Sequence, residues 1–525
     1  MGAVSLKNEK TRYILILLML FAGMFVLSST GTACFIWDSH DLFELFENYE
    51  RNPELGPELF SLSGHISYAF TFAGYIIVRI CGSAVMAQKL YGQLLMLVGM
   101  YGFLRLLRTV HGKELPPWLA VLLTAVYASS PYLLGLSFCA YPDYALWCVI
   151  PLLTYELYAG NLLRTFLTAV FFVFTKETAL ITYVPLVAAL YFCECAEKKK
   201  LFHDLQRYFF LALPCILWLF AYLFISHWDG YGYFGFDPAY IREKTKTFLF
   251  LNFNWLFAAA AVAGCAAALL GNRKTARFIL PTAVSAAAYY LFSIFYMTVN
   301  HPRYIDALIS QLYFLASFSV IYVFRADVLR AAASCAAGIL LFVSSFRTVD
   351  PLMRLSFRQA DTGNAVMVTT SQVLSDGMAY NREYQGFVRA VDLALDGICL
   401  DPANEIFFPA GEERNIWFFD GMGYYHRMEL PEEFTKVEPW DEKRRTRMCN
   451  EVDPGFPRFE IHFITDDYPA VTEEGKEGYF FYTDCYGKEK AGEIRKTAKV
   501  MGEEEFRSGG WVVRRIHFRT GQGEL

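Results

Sequence analysis

The sequence predicts a mainly α protein: a polytopic membrane helix bundle of about eleven transmembrane helices, then a water-soluble C-terminal domain of α/β (α+β) type. Three observations carry this reading. Hydrophobic residues make up 55% of the 525-residue chain, against roughly 45–50% in soluble domains. The excess is gathered between Thr11 and Thr348 in runs of about 16–24 apolar residues, each long enough to cross a hydrocarbon core about 30 Å thick. From Asp350 onward the chain is charged and punctuated by Gly and Pro, with no run of that length.

Taken in order, the candidate spans are 12–32, 66–82, 88–108, 117–136, 141–158, 162–175, 178–193, 207–227, 247–270, 278–298, 304–324 and 328–347. The first follows Lys7, Lys10 and Arg12, as a signal peptide would. Further spans succeed it and its end is a poor cleavage site, so it reads as an uncleaved helix with the N-terminus in the cytoplasm. The positive-inside rule then decides which segments cross. If 66–82 lies along the outer surface, Arg105/Arg108/Lys113, Arg164, Lys198–Lys200/Arg207, Arg273/Lys274/Arg277 and Arg325/Arg330 all fall in the cytoplasm. If it crosses, all of them move outside. The first arrangement is expected: a multi-pass plasma-membrane protein with an extracytoplasmic C-terminal domain. The predicted domains are 1–348 in the membrane, with a long external loop at 33–87 holding juxtamembrane helices, and 349–525 outside.

Charges at membrane depth or at outer helix ends are costly, which makes them functional candidates. Four clusters land on the outer face. They are Trp37-Asp38-Ser39-His40-Asp41 after the first helix, Asp143 after Tyr141-Pro142, Thr175-Lys176-Glu177-Thr178 between two short spans, and His301-Pro302-Arg303-Tyr304. A carboxylate there can take a proton from a hydroxyl, and Arg, Lys or His can stabilise a departing phosphate. Each cluster also has a structural alternative. Asp38 and Asp41 can cap the following helix, Lys176 and Glu177 can pair with each other, Arg303 can anchor at the interface, and Asp143 can simply begin a helix. The net charge of −5 and the lack of a basic stripe argue against nucleic acid as a partner.

This layout resembles the GT-C superfamily of membrane glycosyltransferases, which includes protein O-mannosyltransferases and the lipid A aminoarabinose transferase. Asp38 and Asp41 stand where that family carries its catalytic acid, although its usual acid pair is absent. Gly64-His65-Ile66-Ser67-Tyr68 resembles a degenerate form of the family's Pro-rich segment, and Lys89-Leu90-Tyr91 its Arg-Leu before the second span. Asp143, Phe174-Thr175-Lys176-Glu177-Thr178 and Pro302-Arg303-Tyr304 are similar to later family motifs, in the same order. The resemblance covers about residues 10–348. It implies an inverting transfer from a polyprenyl-phosphate-linked sugar to an acceptor hydroxyl on a glycan, lipid or protein of the cell envelope. Asp41 or Asp38 would be the base. Arg303, Tyr304, His301, Lys176 and Lys89 would face the donor phosphate and lipid, with Asp143, Glu177 and His65 as further site candidates. Some relatives use a divalent metal, Mg or Mn, and others none; no metal set is assigned.

Within 349–525, Phe459–Ile464, Tyr479–Tyr482 and Trp511–Phe518 alternate as strands, and Tyr384–Leu395 reads as an amphipathic helix. Two rival functions fit the same composition: a transporter or flippase of envelope glycolipids, and a non-catalytic envelope-assembly protein. The chain has one broken segment, near Lys176, without a matching break in its other half. That is unlike the paired repeats of many transporters.

Overall fold

The computed structural model describes residues 42, 45, 46, 48–50, 65–112, 115–130, 133, 137, 141–199, 204–224, 238, 241, 242, 245, 255–271, 275–296, 306–344, 390, 393, 394, 405–409, 428, 429, 444–448, 459–464, 477–482, 487–508 and 511–519. They fall into two compact units, one holding residues 42–344 and the other 390–519.

The first unit is helical. Its helices are α1 (Tyr68–Cys81), α2 (Ala84–His111), α3 (Pro117–Ala128), α4 (Pro142–Ala159), α5 (Leu162–Val173), α6 (Ala179–Lys198), α7 (Leu205–Phe224), α8 (Trp255–Gly271), α9 (Ala276–Tyr296), α10 (Asp306–Tyr322) and α11 (Asp327–Ser344). Each falls on one of the predicted spans; the span at 12–32 lies outside the described residues. Among the described residues, α2, α6, α7 and α9 are long and apolar enough to cross a membrane. α1 has 14 residues, about 21 Å at the helical rise and short of a hydrocarbon core. α3 and α5, predicted as crossings, have 12 residues each.

Local chemistry sets the boundaries. α1 stops at Gly82, whose φ of 65° is left-handed and whose amide returns to the Val78 carbonyl. α2 begins at Ser83, whose hydroxyl accepts from the Met86 amide, and the Glu50 carboxylate accepts from the Ala84 amide at 2.9 Å. α4 starts on Pro142, where a missing amide proton costs nothing, and ends at Gly160 (φ 74°). Asn161 then caps α5 through the Arg164 amide at 3.1 Å. Pro151, Pro185, Pro214 and Pro281 sit inside helices, which membrane bundles tolerate because neighbouring groups re-satisfy the freed carbonyls.

α4 forms the centre of the unit; Tyr144, Ala145, Trp147, Cys148 and Leu153 have no solvent exposure. It packs directly on the backbone of α2. A Cβ at Gly102 would overlap Leu152, and one at Gly99 would stand 3.1 Å from the Cys148 Cα; before α4 begins, the Ser137 carbonyl takes the space a Cβ at Gly92 would need. Small residues give apolar helices this approach where lipid supplies no hydrophobic force between them. Gly264 of α8 meets the Ser319 backbone of α10 in the same way. The outer surface is apolar: α7 exposes Phe209, Ile216, Leu219, Phe220 and Leu223, as a lipid-facing helix does. The segment around residues 42–50 docks by Phe46 and Tyr49. Phe46 occupies the space a Cβ at Gly74 would need, and Tyr49 meets Tyr75 edge-on at 5.3 Å.

The second unit carries a seven-stranded mixed sheet, in the order β2-β3-β4-β1-β5-β7-β6. Its strands are β1 (Glu405–Pro409), β2 (Met428–Glu429), β3 (Arg444–Met448), β4 (Phe459–Ile464), β5 (Glu477–Tyr482), β6 (Lys499–Ser508) and β7 (Trp511–Arg519). β4, β1 and β5 run parallel, and the remaining neighbours are antiparallel. α12 (Lys488–Thr497) lays Ala491 and Ile494 on Phe480, Tyr482, Ile516 and Phe518 to form a core. The three predicted strands are present as β4, β5 and β7. Of the predicted helix 384–395, residues 390, 393 and 394 are described, and they are helical.

Candidate functional site

The chain leaves helical geometry between α5 and α6 over residues 174–178. The Phe174 amide closes back on the Val170 carbonyl, and the carbonyls of Lys176, Glu177 and Thr178 then open α6 by accepting from Ala179, Leu180 and Ile181. The Phe174 carbonyl accepts from the Ala69 amide at 3.1 Å, and the Phe174 ring stacks on Tyr68. This ties the break to the start of α1. The first turn of α4 brings Asp143 to the same place.

Two pairs of ionisable side chains result, and they are formed by adjacent residues of one turn. The Lys176 ammonium donates to both Asp143 oxygens, at 2.9 Å to Oδ1 and 2.8 Å to Oδ2, with the side chains only 7% and 3% exposed. The next residue, Glu177, places Oε1 2.9 Å from the His65 Nδ1, with each side chain 18% exposed. Burial pushes the Glu177 carboxyl up, but its contact with His65 and the nearby Lys176 charge outweigh that and hold it below the ordinary carboxylate range. The alternative in which Lys176 and Glu177 satisfy one another is replaced by this crossed arrangement, with each reaching a different element.

Four of the predicted site residues, His65, Asp143, Lys176 and Glu177, are therefore brought into one cluster. Lys89 is half-buried in the second turn of α2. Asp38, Asp41, His301, Arg303 and Tyr304 lie outside the described residues. Among the described residues, no group of three or more His, Cys, Asp and Glu side chains is placed to hold a metal ion. Chemically, the cluster offers a buried ammonium held in position by a bidentate carboxylate, and an imidazole oriented through Nδ1 by a second carboxylate. The first suits an anionic ligand that competes with Asp143 for the ammonium, and the second suits holding or passing a proton.

Two solved structures resemble the chain. One is ArnT from Cupriavidus metallidurans in the apo state, at 12% identity and a TM-score of 0.48, covering 96% of this chain and 98% of that one. The other is ArnT from the same organism bound to undecaprenyl phosphate, at 12% identity and a TM-score of 0.46, covering 97% and 98%. The sequence matches no family profile, and no curated protein matches it.

The partner of Lys176 was the feature that sequence reasoning missed. Asp143 reads on its own as an ordinary helix start, since an acid in the first turn is favoured by the helix dipole. The available signal was burial: α4 is apolar on all sides, so an acid at its first turn needs a cation from another element.

Proposed function

We propose that the chain is an integral-membrane glycosyltransferase that moves a sugar from a polyprenyl-phosphate donor to an acceptor hydroxyl on the outer face, with inversion. The observation that carries this is the paired cluster Asp143–Lys176 and Glu177–His65 at the break between α5 and α6. A structural ion pair needs one acid and one base; four ionisable groups gathered on one turn of an apolar bundle make a polar site at a place where polarity is costly. The order of motifs along the sequence supports the same reading.

In this reading Asp41 or Asp38 takes the proton of the acceptor hydroxyl. The oxygen attacks the anomeric carbon, the bond from that carbon to the phosphate oxygen breaks, and the electron pair leaves with the polyprenyl phosphate. Lys176 and Arg303, with Lys89, neutralise the phosphate as it departs. Tyr304 and His301 flank that group. Asp143 is a positioning residue: by chelating Lys176 it keeps the ammonium aimed. His65, held by Glu177, borders the same site.

Native mass spectrometry of the detergent-purified protein, supplied with polyprenyl-phosphate sugars, tests this. The expected result is a bound lipid-linked sugar that is weakened in Arg303→Ala and Lys176→Met. Turnover in proteoliposomes should require Asp38 or Asp41. Retention of ordinary phospholipid only, with such donors present, would overturn the proposal.

A further inference from the structure

α2, α3, α8, α10 and α11 border a half-open cavity of about 430 Å³, lined by residues such as Val126, Phe257, Val320, Phe324, Ala337 and Leu340. That volume is in the range of small-ligand sites. Five hydroxyls reach its wall, and each is committed to the protein. Tyr127 donates to the Trp147 carbonyl, Tyr313 to the Ser130 hydroxyl, Ser317 to the Phe314 carbonyl, Ser319 to the Ala260 carbonyl and Ser334 to the Arg330 carbonyl. With the hydroxyl protons spent on the protein, only their oxygens remain as acceptors, and the rest of the wall is almost wholly apolar. The cavity is shaped for an alkyl chain.

One end of the cavity is marked by charge. Phe324 lines it, and the next residue, Arg325, is exposed, its Cα about 3.8 Å further along the chain. Arg330, at the same corner, is occupied in closing α10. It donates to the Ile321 and Phe324 carbonyls at 3.0 and 2.8 Å and pairs with Asp327. Arg325 has no partner among the described residues. Beside it, Val328 and Leu329 are exposed at 79% and 54%, an apolar shoulder suited to the lipid interface. An exposed cation one residue beyond the wall of an alkyl-lined slot complements a lipid with an anionic headgroup.

The geometry points to a binding site for an anionic glycerophospholipid, with one acyl chain in the cavity and its phosphate on Arg325. The site is distinct from the Asp143–Lys176 cluster and does not depend on the transferase reading. The loop that carries Arg325 is basic and on the cytoplasmic side of the expected topology, so the lipid comes from the inner leaflet.

The full chain, reconstituted in liposomes, is photolabelled with phosphatidylglycerol carrying a diazirine in one acyl chain, and the adducts are mapped. The lipid-facing residues of α7 report ordinary contact with surrounding lipid in the same sample. Labelling of α8, α10 and α11 at the cavity should exceed that of α7. It should prefer phosphatidylglycerol to phosphatidylcholine by about fivefold, the factor one cation near an anionic surface supplies. Ala337→Trp, which fills the slot, should bring cavity labelling down to the α7 level while α7 labelling stays as it was. Arg325→Gln, an exposed change with no packing to lose, should abolish the headgroup preference and leave chain entry intact. Cavity labelling equal to that of α7, labelling unaffected by Ala337→Trp, or chase by polyprenyl phosphate but not by phosphatidylglycerol would overturn the assignment.

Discussion

Lys176→Met removes the ammonium and leaves the Asp143 carboxylate without its cation in a site where it is 3% exposed. At 2.8 Å the pair attracts by about 6 kcal/mol at an effective dielectric near 20. Most of that offsets the several kcal/mol needed to strip water from each ion, so the intact pair is worth little net stability. Breaking it is different, because one uncompensated charge remains. Each single variant, Lys176→Met or Asp143→Leu, should cost about 3–5 kcal/mol, and the double variant should cost much less than their sum. Equilibrium unfolding in mixed detergent micelles measures the cycle. Single costs below about 1 kcal/mol that simply add would show that the two side chains do not depend on each other, and the positioning role given to Asp143 would fall with that result.

Three further outcomes follow from the same geometry. Glu177 is held below its ordinary carboxylate range, so its contribution to stability is complete above that range and is lost as pH falls through the folded value; melting followed downward from pH ~5.5, about a unit above the ordinary Glu value, should be less acid-sensitive in Glu177→Gln than in the parent. In the second unit, Glu503 is held low first by its hydrogen bond with Arg495, which also donates to Tyr482. Arg495→Met should therefore raise the pH at which acid unfolding of the β5–β7 region begins, read by hydrogen exchange of β6 and β7 amides. Glu50→Ala deletes the carboxylate that accepts from Ala84 and should cost about 0.5–2 kcal/mol, the usual range for a lost helix cap, measured by thermal melting in detergent.

The helical unit was legible because lipid leaves few choices: an apolar run of sufficient length must satisfy its backbone internally, and a helix does so. α6, α7 and α9 lie within a few residues of their hydropathy bounds for that reason. The ends of α3 and α5 were less legible, since hydropathy does not register where a helix gives way to a turn. In the second unit, β4 and β7 show alternation. β3, with its run Arg444-Arg445-Thr446-Arg447, and β6, with Glu503-Glu504-Glu505, do not. Glu504 and Glu505 of β6 are matched by Arg515 and Arg514 across the ladder, a pairing that exists only once the strands are side by side. The candidate site behaved similarly. Its residues were identifiable as costly charges, but the partners of Lys176 and Glu177 are 33 residues away in one case and over a hundred in the other, and one-dimensional spacing carries no record of them.

The close backbone approaches at helical glycines have a practical consequence for anyone who wishes to toughen the protein. Replacing helical glycines by alanine is a standard route to stability, gaining about 1 kcal/mol where backbone freedom in the unfolded chain is the only thing removed. Here the recipe reverses sign by address. At Gly92, Gly102 and Gly264 the added methyl meets another backbone, while at Gly492, inside α12, it meets nothing within 4 Å. A glycine-to-alanine library screened by heat should therefore enrich the last position and purge the first three, sorting by distance to the neighbouring chain rather than by helix propensity.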